Sequence, residues 1–230
     1  MKNEIKVVFF DLFYTLVIPK YNDLRNENDV LRITKEEWET YAEDNELYFK
    51  RAVGKEKNPR KIIDSIVGKI NMNVNESDKR EILRLREERF KKSLIDVDFT
   101  ILDVLSEIKK NGKKICLISN VDVIDVKHWK ESPLNNMFDD IIFSYEAGYL
   151  KPQTEIYEIA LKRMKSNPEE CIFIGDGGSS ELIGAKRLGI KTILSGYLLK
   201  RDPKQLELIK KFADYYIEDF NEIKDIIMEQ

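Results

Sequence analysis

In the stretch VVFFDLFYTLV, residues 7–17, four apolar residues lead directly into Asp11, and Thr15 follows four residues later. A short continuous apolar run is typical of a strand that is buried on both faces. A charge at the end of such a run costs free energy unless something binds it. The stretch therefore predicts a central strand of a parallel sheet, with Asp11 at its carboxyl end facing a ligand or a cation.

Five more apolar runs follow along the chain, and helical patterns separate them after Phe99. Strands that alternate with helices indicate a doubly wound, Rossmann-like α/β fold with a parallel sheet. The predicted strands are VVFF (7–10), ICLIS (115–119), IIFSY (141–145), CIFIG (171–175), KTIL (191–194) and DYYI (214–217). The predicted helices are 99–112, 152–164 with Pro152 in the first turn, and 179–189.

Residues 18–97 break this alternation, because they contain no strand pattern. They read as an all-helical cap inserted between the first two strands. Their predicted helices are 34–53 with a capping box of Thr34 and Glu37, 58–70 with Asn58 as cap, and a charged helix 76–95. The expected division is a core of residues 1–17 and 98–230 and a cap of residues 18–97.

Composition narrows the functional class. The chain has 230 residues, of which 39 are basic and 42 acidic, and a net charge of −3 argues against nucleic acid or a membrane surface as a partner. Its N-terminus lacks a signal-peptide layout, and no apolar run is long enough to span a bilayer. The two cysteines, Cys116 and Cys171, lie inside predicted strands and read as core residues. We expect a cytoplasmic protein, monomeric or homodimeric, with a small-molecule substrate.

Polar residues follow three of the predicted strands. Asp11 ends the first, Ser119 and Asn120 end the second, and Asp176 ends the fourth. Ligands of such sheets bind beyond the carboxyl ends of the strands, so these side chains are expected to converge, together with Glu181 and Lys151 from neighbouring loops. A divalent cation would relieve the repulsion between the carboxylates, and hard oxygen ligands suit Mg²⁺. A carboxylate that faces a clamped phosphoryl group is a reasonable nucleophile.

The ordered set Asp11-x-Phe13-x-Thr15-Leu16, Ser119-Asn120, Lys151-Pro152 and Gly175-Asp176-(x)4-Glu181 resembles the haloacid dehalogenase-like hydrolase superfamily, in its form with a helical cap. This resemblance implies a role for each matching residue. Asp11 would be the nucleophile that forms an aspartyl-phosphate intermediate, with Lys151 as its catalytic partner. Ser119, Asn120 and Lys151 would bind the phosphoryl group. The Mg²⁺ site would consist of Asp11, the main-chain carbonyl of Phe13, Asp176 and Glu181.

Phe13 departs from the phosphatases of that family, in which an aspartate at this position protonates the leaving group. The main hypothesis is a Mg²⁺-dependent phosphatase acting on a small phosphorylated metabolite. The side chain of Phe13 has no acidic proton. Three alternatives therefore stay open: a haloacid dehalogenase, a phosphonate C–P hydrolase and a non-catalytic phospho-ligand-binding regulator. Another acid, such as the hydroxyl of Tyr14, is a further option. The cationic loop 51–60, with Lys55 and Lys57, is expected to face an anionic substrate or to be a solvated connector.

Overall fold

The computed structural model describes residues 4–21 and 24–228 and contains one six-stranded sheet. The strand order is β3-β2-β1-β4-β5-β6, and every neighbouring pair is parallel. All six predicted strands are present, which confirms the doubly wound α/β class. Their bounds are β1 Val7–Phe10, β2 Lys114–Ser119, β3 Asp140–Phe143, β4 Cys171–Gly175, β5 Lys191–Ser195 and β6 Tyr215–Ile217.

Six helices lie between β1 and β2 in the described part of the chain, and the first five form a helical insert. They are α1 Glu27–Leu31, α2 Lys35–Ala42, α3 Asn45–Ala52, α4 Pro59–Val67 and α5 Glu76–Ile95. The prediction of one helix over residues 34–53 is wrong: α2 ends at Ala42, and Asp44 caps α3 by accepting a hydrogen bond from the Leu47 N–H at 3.1 Å. The caps predicted at Thr34 and Asn58 are confirmed.

The remaining helices alternate with the strands. They are α6 Phe99–Lys110, α7 Ser144–Ala147, α8 Thr154–Met164, α9 Glu181–Arg187, α10 Pro203–Lys210 and α11 Glu222–Met228. Helix α8 begins at Thr154, after an extended Gln153, so Pro152 precedes the helix and does not lie in its first turn as predicted. Among the described residues, none of the helices combines the length and the apolar character that crossing a bilayer requires.

Strand β1 lies in the middle of the sheet, and its side chains alternate between two cores. Val8 and Phe10 pack on the side of α6 and α11, whereas Val7 and Phe9 pack on the side of α8 and α9. This alternation follows from the two-residue repeat of a strand. Both faces are covered, which explains why the strand is apolar throughout. Strands β2 and β3 lie on one side of β1, and strands β4, β5 and β6 lie on the other. Asp11 therefore lies at the point where the strand order reverses, which is where ligands of such sheets bind.

The helical insert has its own apolar cluster, which includes Trp38, Ile63, Ile66 and Ile82 and is joined by Ile124 from the loop after β2. Gly54, at a φ of 73°, lets the insert approach that side of the sheet, because a Cβ there would lie 2.1 Å from the Tyr145 carbonyl oxygen. The proposed domain boundaries stay a prediction; residues 1–3, 22–23 and 229–230 fall outside the described residues.

Candidate active site

Asp11 lies at the carboxyl end of β1 and is 6% exposed. Its backbone N–H continues the sheet by donating to the Ile174 carbonyl at 2.9 Å. The Thr15 hydroxyl donates to Asp11 Oδ2 at 3.2 Å, as part of a tight turn over residues 11–17. Thr15 therefore holds the carboxylate in one orientation. The other oxygen, Oδ1, accepts a hydrogen bond from Lys151 Nζ.

Lys151 is 3% exposed, and its ammonium lies between two carboxylates. It contacts Asp11 Oδ1 and donates to Glu181 Oε2 at 2.5 Å. The loop that carries Lys151 is fixed by Asn120, whose amide accepts from the Lys151 N–H at 2.8 Å and donates to the Lys151 carbonyl at 3.0 Å. Asn120, predicted to bind substrate, thus uses its side chain to position the lysine.

Asp176 and Glu181 complete the cluster from the loop after β4. Gly175 makes room for Glu181, because a Cβ on Gly175 would lie 2.0 Å from Glu181 Oε1. That oxygen accepts from the Gly177 N–H at 3.0 Å, while Asp176 Oδ1 accepts from the Gly178 N–H at 3.1 Å. These main-chain donors fix both carboxylates before any ligand arrives.

Arg201, from the loop after β5, is a site residue that the sequence reasoning missed. Its Nη2 pairs with Asp176 Oδ2, and its Nε donates to the Asp176 carbonyl at 3.1 Å. The side chain reaches the same edge of the sheet as Asp11. Its position six residues beyond the end of β5 carries no motif.

The titration of the cluster reflects burial and charge. Burial raises the pKa of Glu181 well above its usual value, the charge of Asp11 adds to this, and Lys151 opposes it. Burial and Asp11 also raise the pKa of Asp176, against the charge of Arg201. Burial by itself would lower the pKa of Lys151, but Asp11 and Glu181 raise it above its usual range. The site therefore contains a firmly charged lysine among carboxylates that need further positive charge.

Three carboxylates meet the requirements of a cation site. Asp11, Asp176 and Glu181 each offer an oxygen, and these oxygens lie within 4.8 Å of one another. All three residues are buried. Hard carboxylate oxygens are the ligands that Mg²⁺ prefers, and each oxygen keeps a lone pair beyond the hydrogen bonds described above. The residues present fit Mg²⁺; the part assigned to the Phe13 carbonyl stays a prediction.

A cavity of about 450 Å³ opens above this cluster, between the sheet and the helical insert. Phe13 lines it, and its ring meets the ring of Phe90 edge to face at 5.4 Å. The guanidinium groups of Arg86 and Arg89 lie over the same Phe90 ring, at 5.0 and 4.8 Å. Phe13 thus packs against the wall of the cavity that the helical insert forms.

The remaining predicted site residues differ in whether they line the cavity. Ser119 is buried at the end of β2, and its hydroxyl has no hydrogen-bond partner among the residues that the structure describes. Tyr14 lines the cavity, and its backbone has a φ of 63°. No residue of the loop 51–60 lines the cavity: Lys55 lies over the Phe49 ring and Lys57 over the Tyr145 ring. Both predicted core cysteines are free and buried.

A buried aspartate at the switch point of a parallel sheet, with a lysine, a cluster of acids and a helical insert above it, is typical of hydrolases that transfer a group to an aspartate. The chain belongs to the haloacid dehalogenase-like hydrolase family, whose model matches residues 5–189. The match confirms the resemblance inferred from the four motifs.

Two curated relatives are phosphatases of the same name. The chain is 33% identical over 129 residues to the glyceraldehyde 3-phosphate phosphatase of Methanocaldococcus jannaschii, and the match covers 55% of this chain and 54% of that protein. It is 26% identical to the glyceraldehyde 3-phosphate phosphatase of Pyrococcus furiosus, over 97% of this chain and 93% of that protein. The first of these matches thus spans about half the length of the relative.

Solved structures support the fold. A HAD family enzyme from Bacteroides thetaiotaomicron, in complex with magnesium and inorganic phosphate, superposes with a TM-score of 0.65 at 20% identity. The superposition covers 87% of this chain and 98% of that one.

Proposed function

We propose that this protein is a Mg²⁺-dependent phosphatase that hydrolyses a small phosphorylated metabolite through an aspartyl-phosphate intermediate on Asp11. The observation that carries the proposal is the position of Lys151 Nζ, buried between the carboxylates of Asp11 and Glu181. A lysine so placed offsets the repulsion between a nucleophilic carboxylate and a phosphate dianion. The phosphatase names of two relatives agree with it. A cytoplasmic location is part of the same proposal.

Each residue of the site has its own role in the transfer of the phosphoryl group to Asp11. Asp11 Oδ2, held by Thr15, attacks the phosphorus atom, while Lys151 stays on Oδ1 and reaches the phosphoryl oxygens. The Ser119 hydroxyl, which has no hydrogen-bond partner in the described part of the chain, donates to a phosphoryl oxygen. Mg²⁺, held by Asp11, Asp176 and Glu181, would supply positive charge to the transferring group.

Two alternatives are less well supported. A phosphonate C–P hydrolase needs a lysine that forms a Schiff base, but Lys151 is the only lysine that lines the cavity among the described residues, and it is locked in two ion pairs. A haloacid dehalogenase suits the aromatic Phe13, yet it has no use for an acidic cluster that Asp176 completes. A non-catalytic regulator would not need Asp11 oriented by Thr15 and Lys151.

The test is phosphate release from an aryl phosphate by the wild type with Mg²⁺, by the wild type with chelator, and by Asp11→Asn with Mg²⁺. We expect only the first to turn over. Calorimetric titration of Mg²⁺ into the wild type and Asp176→Asn provides a second readout, in which the variant should bind more weakly. Unchanged turnover in Asp11→Asn would overturn the nucleophile, and chloride release from a haloacid with chelator would favour the dehalogenase.

A further inference from the structure

Phe13 leaves open which group protonates the leaving oxygen. An alkoxide is a poor leaving group, and general acid catalysis is typically worth about 10²–10⁴-fold. The phenyl ring of Phe13 has no proton to give, and it packs against Phe90. A carboxyl elsewhere on the cavity wall would meet the need if the fold kept it protonated.

Five charged residues meet where the helical insert touches the loop after β2, and we call them the junction cluster: Glu43, Arg51, Arg86, Asp122 and Asp125. Arg51 Nε lies 2.8 Å from Asp122 Oδ2, and Arg51 Nη2 lies 2.9 Å from Glu43 Oε2. Arg86 Nη2 lies 3.2 Å from Asp125 Oδ1. Each arginine comes from the insert, and each aspartate comes from the sheet side.

The junction cluster has three carboxylates and two guanidinium groups. Glu43 is half-exposed, whereas both aspartates and both arginines are buried. Two buried carboxylates that lie side by side repel each other, which favours the protonated form of one of them. Asp122 Oδ1 accepts hydrogen bonds from the N–H groups of Ile124 and Asp125 at 2.7 and 3.2 Å, which favour its charged form. Asp125 shares Arg86 Nη2, at 3.2 Å, with Glu43 at 3.7 Å and with Asp122 at 3.9 Å. Asp125 is therefore the acid that holds the proton.

Asp125 also has the access that a proton donor needs. It lines the cavity that contains Asp11 and Lys151, whereas Asp122, fully buried, does not line it. The Asp122 N–H donates to Asp125 Oδ2 at 3.0 Å and so fixes the carboxyl group against the cavity wall. Tyr48 lines the same cavity.

We propose that Asp125 is the general acid of this enzyme, in place of the aspartate missing at Phe13. The inference rests on the proposed phosphatase function. In the first step Asp11 forms a bond to phosphorus, the bond from phosphorus to the leaving oxygen breaks, and that oxygen takes the proton of Asp125. In the second step water attacks phosphorus and gives a proton to Asp125, and the bond to Asp11 breaks. Both residues end as they began.

The surroundings of Asp125 suit both the protonated and the ionised form of its carboxyl group. Burial raises its pKa to about 7, the charge of Asp122 adds to this, and Arg86 and Arg51 oppose it. An acid is most effective when its pKa lies near the working pH. The other groups that face it are Glu43, through Arg86, and Tyr48. Once Asp125 has given up its proton, Arg86 stabilises the carboxylate.

The experiment compares an aryl phosphate, which leaves unaided, with an alkyl phosphate, which needs the proton. We expect Asp125→Asn to lower kcat/KM for the alkyl phosphate about 10²–10³-fold more than for the aryl phosphate. The kcat values for both substrates should fall, because water activation also uses Asp125. In the wild type, kcat/KM for the alkyl phosphate should decline above about pH 7, and the aryl profile should lack this limb.

Asp122→Asn is a second test at a side chain outside the cavity. Because the charge of Asp122 adds to the raised pKa of Asp125, this variant should shift the decline of the alkyl-phosphate profile to lower pH, while below that decline both substrates should change by the same factor. Equal losses in Asp125→Asn, or a selective loss in Tyr14→Phe, would overturn the proposal. If Asp125→Asn fails to fold, the two wild-type pH profiles decide, and identical profiles would refute the acid. Aryl phosphate hydrolysis that survives Asp11→Asn would instead overturn the proposed function, so the two failures are distinguishable.

Discussion

Replacing Lys151 by methionine removes the one lysine charge of the site while it keeps most of the side-chain length. Without that charge, Asp11, Asp176 and Glu181 keep their oxygens within 4.8 Å of one another, and Arg201, paired with Asp176, is the remaining cation in contact with them among the described residues. We expect Lys151→Met to lower the free energy of unfolding of the metal-free protein and kcat/KM of the protein with Mg²⁺, because the same lysine neutralises the carboxylates and attracts the phosphate.

The magnitude follows from the geometry. Two unit charges 4.8 Å apart repel by about 3.5 kcal/mol at an effective dielectric constant of about 20. Removing one partner of a buried ion pair typically costs about 3–5 kcal/mol. Glu181 limits the cost by taking a proton, since burial already raises its pKa. We therefore expect a loss of about 3 kcal/mol, which corresponds to a fall in Tm of about 10 °C for a chain of this size. The same free energy is worth about two decades in kcat/KM.

The assay is thermal unfolding with and without Mg²⁺, together with kcat/KM for an aryl phosphate. Mg²⁺ should raise the Tm of Lys151→Met more than that of the wild type, because it supplies the missing positive charge. Lys186→Met is the control: Lys186 Nζ pairs with Asp214 at 2.7 Å, but both side chains are about one-third exposed, so the loss should stay below about 1 kcal/mol. Equal losses in both variants, or a fall in kcat/KM of less than about tenfold, would refute the reasoning.

Three further changes test other parts of the site. Arg201→Met should tighten Mg²⁺ binding to the protein without substrate by about tenfold, because the guanidinium competes for Asp176; calorimetry that shows weaker binding would contradict this. The metal-free protein should lose stability as the pH rises from about 4 to 7. The reason is that the fold raises the pKa of Asp125 from 3.8 to about 7, so the folded protein binds this proton more tightly than the unfolded chain does. In denaturant titrations, Asp125→Asn should remove this contribution to the dependence of the free energy of unfolding on pH. Changing Lys55 and Lys57 to Ala should leave kcat/KM within about twofold for large and small anionic substrates alike, since neither lines the cavity, and a selective loss for large substrates would restore the loop as a recognition element.

The sheet could be predicted because each strand is buried on both faces, so that its sequence is a short apolar run. Val7–Phe10 and Cys171–Gly175 show this pattern without interruption. The break between α2 and α3 could not be predicted in the same way, because residues 34–53 keep a helical composition and only the cap at Asp44 separates the two helices. Local propensity there was overridden by a single side-chain hydrogen bond.

The acidic cluster could also be predicted, since Asp11 and Asp176 each follow a strand and parallel strands end at one edge. The junction cluster could not. Arg86 and Asp125 are 39 residues apart, on a helix of the insert and on a loop of the sheet, and no periodic pattern relates them. In the sequence both read as solvated charges, whereas in the fold both are buried. Only packing the insert on the sheet reveals that two buried aspartates lie side by side and share the guanidinium group of Arg86.

The proposed acid, Asp125, lies where the helical insert contacts the sheet side of the protein. An aspartate at residue 13 would lie beside Asp11 whether or not the insert were in place. Asp125 differs, because it is buried where the insert, through Arg51 and Arg86, contacts the loop after β2. If the insert moved away, water would reach Asp125, burial would no longer raise its pKa, and its proton would be lost at neutral pH. Under the proposal, leaving-group protonation is available only while the insert is docked, so the enzyme couples acid catalysis to the closed cavity, and unproductive water attack in an open state meets a site without its acid.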